Sequence, residues 1–100
     1  MKTFNRPIII GRLGQDPELK GDVAMFTVSN STIRDGVEEV MWHKIRAFGN
    51  QAKLCVEYLH KGDLCCIEGT LSNHTYEKDG KVHHSQSIIV ERITFLASKR

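Results

Sequence analysis

One stretch of this chain carries apolar residues at helical spacing, and segments on both sides alternate like β-strands, which leaves few folds open. Across residues 51–61, Leu54, Cys55, Tyr58 and Leu59 recur three and four apart, a period that gathers side chains on one helix face. Asn50 offers a side-chain oxygen to cap the first turn, and Gly62 supplies a left-handed stop. Such a helix packs one side and wets the other, so it serves as a plug.

Residues 7–13 read as a first strand and 14–17 as a loop punctuated by Gly, Asp and Pro. Gly21-Asp22 turns the chain into a second strand over 23–29. Asp35-Gly36 is a hairpin signal that delivers a third strand over 40–48, ended by Gly49. After the helix, 64–76 reads as a long fourth strand interrupted by Gly69, which permits a bulge or tight bend. Lys78-Asp79-Gly80-Lys81 turns it into a fifth strand over 82–90, and 93–96 is a further extended segment. Three strands, one helix and two strands is the order of the all-β, five-stranded Greek-key barrel called the OB-fold, whose helix closes one barrel end. SH3-like barrels and small sandwiches have similar strand counts but expect no helix there.

At 100 residues and 40% hydrophobic, the chain fits a single domain over 1–100 with its core at about 5–96. The net charge of +2 averages an acidic stretch at 37–40 against a basic one at 44–53, so local patches matter more than the sum. The apolar run at 7–10 is too short for a signal-peptide core or a membrane span, which predicts a cytoplasmic protein with no membrane partner. Cys55, Cys65 and Cys66 are odd in number and form no disulfide framework; buried, inert thiols are expected. Neither Cys65-Cys66 nor His83-His84 has the gap that lets neighbouring ligands reach one ion, so no metal and no cofactor is expected. No paired-carboxylate, Ser/His/Asp or Gly-rich phosphate motif is present, which argues against an enzyme.

The segment Trp42-His43-Lys44-Ile45-Arg46-Ala47-Phe48 carries the functional signal. Side chains alternate across a strand, so Trp42, Lys44, Arg46 and Phe48 share one face, and Met41, His43, Ile45 and Ala47 the other. Rings alternating with cations suit single-stranded nucleic acid, because rings stack on unpaired bases and cations hold phosphates. A second reading makes Trp42 and Phe48 core residues, with both cations near a strand end, stems packed and heads in water.

Beyond alternation, whole blocks resemble the bacterial single-stranded DNA-binding proteins. The opening Asn5-Arg6-Pro7-Ile8-Ile9-Ile10-Gly11-Arg12-Leu13-Gly14-Gln15-Asp16-Pro17-Glu18-Leu19 is similar to theirs. Trp42 to Gly49, Glu57-Tyr58-Leu59-His60-Lys61-Gly62 and Ile67-Glu68-Gly69-Thr70-Leu71 follow in the same order. The resemblance implies an OB-fold that binds single-stranded DNA without chemistry, in replication, recombination and repair, usually as a homotetramer, with a dimer as the other assembly. By that analogy Trp42 and Phe48 stack on bases and Lys44 faces the strand, with Arg6, Arg12 and Lys61 at positions where the family often places charge. His43 matches an interface histidine, although a place between Met41 and Ile45 equally suits a partly buried core residue.

Departures from the family pattern shape the expectations. Tyr76 stands where a tryptophan is usual, and its plainer role is cross-strand packing near the hairpin tip. The stretch 29–35 offers only Ile33 where another aromatic platform is common, and Ser72, Asn73, His74 and Thr75 replace a basic segment, so weaker affinity is expected. His74 near the groove is expected to tighten binding below about pH 6.5 by gaining charge. Family members continue into a flexible tail that recruits repair and replication enzymes; nothing like it is here, so tail-mediated partners are not expected. Two other readings stand beside DNA binding: a tail-less primosomal-type protein for replication restart, whose helix region fits less well, and an OB-fold adaptor that binds only protein.

Overall fold

The computed structural model describes residues 6–98 and places one barrel there. Its elements are β1 (Ile8–Leu13), β2 (Glu18–Lys20), β3 (Val23–Arg34), β4 (Val37–Phe48), α1 (Asn50–Tyr58), β5 (Leu64–Lys78) and β6 (Lys81–Ala97). Strand order is β1-β5-β6-β4-β3-β2, and a further β1–β3 pairing through Arg12↔Ser29 and Leu13↔Val28 closes the barrel. Every long pairing is antiparallel except β4–β6, which run parallel at Ile45↔Ile88 and Arg46↔Ile89. The expected five-stranded OB-fold with its helix between the third and fourth long strands is therefore present, and β2 is a three-residue addition to it. Asn5, the first residue of the opening block, and the chain ends at 1–5 and 99–100 lie outside the described residues.

Alternation builds the core. Along β1 the inward positions are Ile9, Gly11 and Leu13, while Ile8, Ile10 and Arg12 face out. Ala24, Phe26 and Val28 of β3 meet Ile45 and Ala47 of β4, and Cys65, Ile67, Ile88 and Val90 complete the wall. Each large buried side chain contributes about 1.5–3 kcal/mol over its exposed state, and none of these positions carries a charge.

Several boundaries differ from the sequence expectations. Helix α1 begins at Asn50 itself, with Gly49 as the cap residue and no side-chain cap bond. Gly49 adopts φ 62°, a conformation that costs glycine little, and its carbonyl accepts the Lys53 N–H at 3.3 Å. The helix ends at Tyr58, before Gly62; Leu59 is already extended, with its N–H donating to the Cys55 carbonyl at 2.9 Å. Gly62 instead serves the next turn, donating its N–H to the Leu13 carbonyl at 2.8 Å. The packed helix face is Ala52 and Cys55, continued by Leu59, whereas Leu54 and Tyr58 are exposed.

The third strand starts at Val37, not 40, because Val37 pairs with Arg34 directly across the Asp35-Gly36 turn. The two extended segments expected over 82–90 and 93–96 are one strand, bulged where Glu68↔Arg92 gives way to Gly69↔Val90 and leaves Glu91 as the extra residue. That bulge ties three elements: the Glu91 carboxylate accepts from Arg6 at 2.8 Å and Thr70 at 2.6 Å, and its carbonyl accepts from Gln51 at 2.8 Å.

Cys55 and Cys65 are buried, and desolvation pushes their thiols up to about 11 and about 12, so both stay in the SH form as small apolar groups. Cys66 departs from the expectation. It is half-buried, on the opposite face from Cys65.

Candidate nucleic-acid interface

Two hairpin arms outgrow the barrel, and the candidate interface lies between them. The β3–β4 arm over residues 31–40 is exposed throughout, and the β5–β6 arm turns at Asp79-Gly80, both with φ above zero. On the outer face of β3 and β4, Met25, Thr27 and Ser29 sit opposite Arg46, Lys44 and Trp42. The β5–β6 arm leans over this face. Lys44 Nζ donates to Ser85 Oγ at 3.1 Å, spanning the gap between β4 and β6.

Two recesses flank that contact. One, of about 440 Å³, is lined by Gln15, Met25, Phe26, Thr27, Lys44, Ile45, Arg46, Tyr76, Ser85 and Ser87. The other, of about 280 Å³, is lined by Trp42, His43, Lys44, Leu71, His84, Ser85, Gln86, Ser87 and Ile88. Neither lining includes a carboxylate; Lys44 contributes its charge to both recesses and Arg46 to the larger one.

The rings stand at the surface, not in the core. Trp42 is 60% exposed, Phe48 45% and Tyr76 48%, which removes the reading of Trp42 and Phe48 as core residues. Trp42 leans on the β1–β2 loop: a Cβ at Gly14 would collide with the indole ring, so the missing side chain lets the ring approach the backbone there. Tyr76 stacks on His83, its cross-strand partner.

The structure brings Trp42, Lys44, Arg46 and Tyr76 together around the two recesses. Phe48 lies on the same β4 face but lines neither recess, and Arg6 is held by Glu91. Arg12 Nη1 donates to the Gly62 carbonyl at 2.9 Å and lines a separate hollow with Ala97 and Ser98. The Lys61 N–H donates to Asp16 Oδ1 at 2.8 Å, which pins the neighbouring loop. His74 lies opposite Ser85 in the register, and its side chain is outside what is described. His43 is half-buried and donates from Nε2 to Asn30 Oδ1 at 2.6 Å, while still lining the smaller recess.

Gln15, Met25, Thr27, Leu71, Ser85 and Ser87 are lining residues to which the sequence assigned no place in the site. Alternation says which face a residue occupies. It does not say which other face covers it.

Barrel, overhanging arms and aromatic-basic groove together define an OB-fold with a groove of rings and cations on one face. The comparisons then place it: a model of the Single-strand binding protein family matches residues 4–96, and the chain belongs to that family. It is 30% identical to a single-stranded DNA-binding protein of Xylella fastidiosa, covering 98% of this chain, and 33% identical to one of Neisseria meningitidis serogroup A, covering 97%. The chain spans 66% and 62% of the length of those two relatives. Among solved structures it is similar to the SSB of Plasmodium falciparum in complex with ssDNA, with TM-score 0.89 and 25% identity over 96% of this chain and 97% of that one.

Proposed function

We propose that the protein binds single-stranded DNA without sequence preference and without chemistry, coating and protecting it in replication, recombination and repair. The observation that carries the reading is the carboxylate-free groove, in which Trp42 and Tyr76 offer rings and Lys44 and Arg46 offer charge. Every base has a π-face, so stacking tolerates any sequence, while the cations follow the phosphates common to all. Relatives named single-stranded DNA-binding protein, and a similar barrel solved with ssDNA, support it. The domain occupies 1–100 and works in the cytoplasm. Among the described residues no helix is long and apolar enough to cross a membrane.

Charge and stacking separate in one experiment. Phosphate contacts release counterions, so log K for oligo-dT falls linearly with log salt by about 0.7 per phosphate. Lys44→Ala flattens that slope by about 0.7 and weakens dT and mixed-sequence oligomers alike. An unchanged slope in a folded Lys44→Ala protein moves the binding path off this face. A protein-only adaptor would show no salt-eluted binding to oligo-dT at all.

The working form is a homo-oligomer, a tetramer by family analogy. Ile8 and Ile10 on the outer face of β1 are 59% and 57% exposed, an apolar stretch of strand surface that a neighbouring subunit would cover. Light scattering at tens of micromolar, a range set by typical subunit affinities, is expected to give a multiple of the 11.4 kDa chain mass. A monomeric mass contradicts the assembly.

A further inference from the structure

The β5–β6 arm carries a ring pair whose second member has no assigned role. Tyr76 and His83 are cross-strand partners, their ring centroids 5.3 Å apart and their planes within 18°. Asp79 and Gly80 both adopt positive φ, at 55° and 75°, which makes the two-residue turn that locks this register. Tyr76 lines the larger recess beside Lys44 and Arg46, whereas His83 does not. One side of the tyrosine therefore rests on imidazole while the ring still contributes to the groove.

The surroundings explain why such support matters. Alternation puts His74, Lys78, Lys81 and Ser85 on the same arm face as this pair, and among the side chains described there His83 is the ring stacked on Tyr76. Tyr76 lies beyond the barrel core and is about half exposed, so without a backing group its ring would sample several rotamers. A ring ordered before binding loses less freedom when a base lands on it.

We propose that His83 is a positioning residue of the groove, whose imidazole backs Tyr76 and holds that ring as a preformed platform for an unpaired base. The proposal rests on the reading of the groove as a single-stranded DNA site. It assigns His83 no contact with the strand. Its effect passes through Tyr76.

The test measures oligo-dT affinity for wild type, His83→Ala, His83→Phe, Tyr76→Ala and the double variant His83→Ala/Tyr76→Ala, with circular dichroism to check folding. His83→Ala is expected to weaken binding about two- to tenfold, as loss of a stacked ring pair does, and His83→Phe to restore it. In the Tyr76→Ala background, removing His83 changes nothing further, and the salt slope stays constant throughout. Full affinity in a folded His83→Ala protein overturns the proposal. An equal loss with and without Tyr76, or a flattened salt slope, also overturns it by making His83 a direct contact. Failure of the wild-type protein to bind oligo-dT is a distinct result, and it removes the DNA-binding reading together with the platform.

Discussion

Replacing Trp42 by alanine is expected to weaken oligo-dT binding by about 1–3 kcal/mol, roughly five- to 150-fold, at every salt concentration and with little change in salt slope. The indole is 60% exposed, rests against the Gly14 backbone and shares a strand face with Lys44 and Arg46, so its removal takes away stacking area and leaves the cations in place. Phe48→Ala and Tyr76→Ala should follow in the same direction with smaller losses, since each is a smaller ring and Phe48 lies outside both recesses. Because Trp42 contributes little to the buried core, the variant keeps its melting behaviour. A folded Trp42→Ala protein that binds as well as wild type would remove the stacking assignment.

Together with Gly11→Ala, Gly69→Ala is expected to be among the most damaging single-methyl changes in the barrel. A Cβ at this position would collide with the main-chain carbonyl oxygen of Ile89 and press on the Ile88 side chain. Neither can yield cheaply, because Ile89 pairs with Arg46 of β4 and Ile88 sits in the core. The expected loss is about 3 kcal/mol or more. For a domain of this size that lowers the melting midpoint by roughly 12–24 °C. A thermal melt within a degree or two of wild type would mean that β5 and β6 do not approach as closely here as the register places them. The same bend aims the arm that carries Tyr76 over β4, so surviving Gly69→Ala protein should also bind oligo-dT more weakly.

Much of this architecture was legible in the sequence because strand alternation and turn chemistry are local. Asp35-Gly36 and Asp79-Gly80 mark turns by their own residues, and the parity of residues 42–48 correctly separates Ile45 and Ala47 inside from Lys44 and Trp42 outside. Gly69 marks the bend for the same reason. The misread features are those that depend on distant partners. Leu59 is buried whether the helix continues or stops, so apolar spacing carries the helix past Tyr58 when the backbone has already become extended. Ala52 is too small to stand out in an apolar pattern, yet it is fully buried, while Leu54 and Tyr58 fit the pattern and face out. The polar pair Glu91-Arg92 resembles a strand end and is a bulge, held by Arg6 from 85 residues away.

The groove follows the same division. Its floor was readable from one strand, since Trp42, Lys44 and Arg46 alternate in sequence. Its roof was not: Ser85 and Ser87 meet Lys44 only because the β5–β6 arm folds back, and nothing local to those serines announces it. The basic residues read from alternation and from the resemblance divide as well. Lys44 and Arg46 line the recesses, while Arg6 and Arg12 spend donors on Glu91 and the Gly62 carbonyl.

The central claim is that unpaired bases stack on Trp42 while cations beside it hold phosphates, and one titration of the unaltered protein tests both halves. Trp42 is the only tryptophan in the chain, so intrinsic fluorescence reports that ring alone. Adding oligo-dT at several salt concentrations is expected to quench the emission to saturation, with log K falling linearly against log salt by about 0.7 for each phosphate held. Emission that stays unchanged through a stoichiometric excess of oligo-dT, or an affinity independent of salt, would contradict the account.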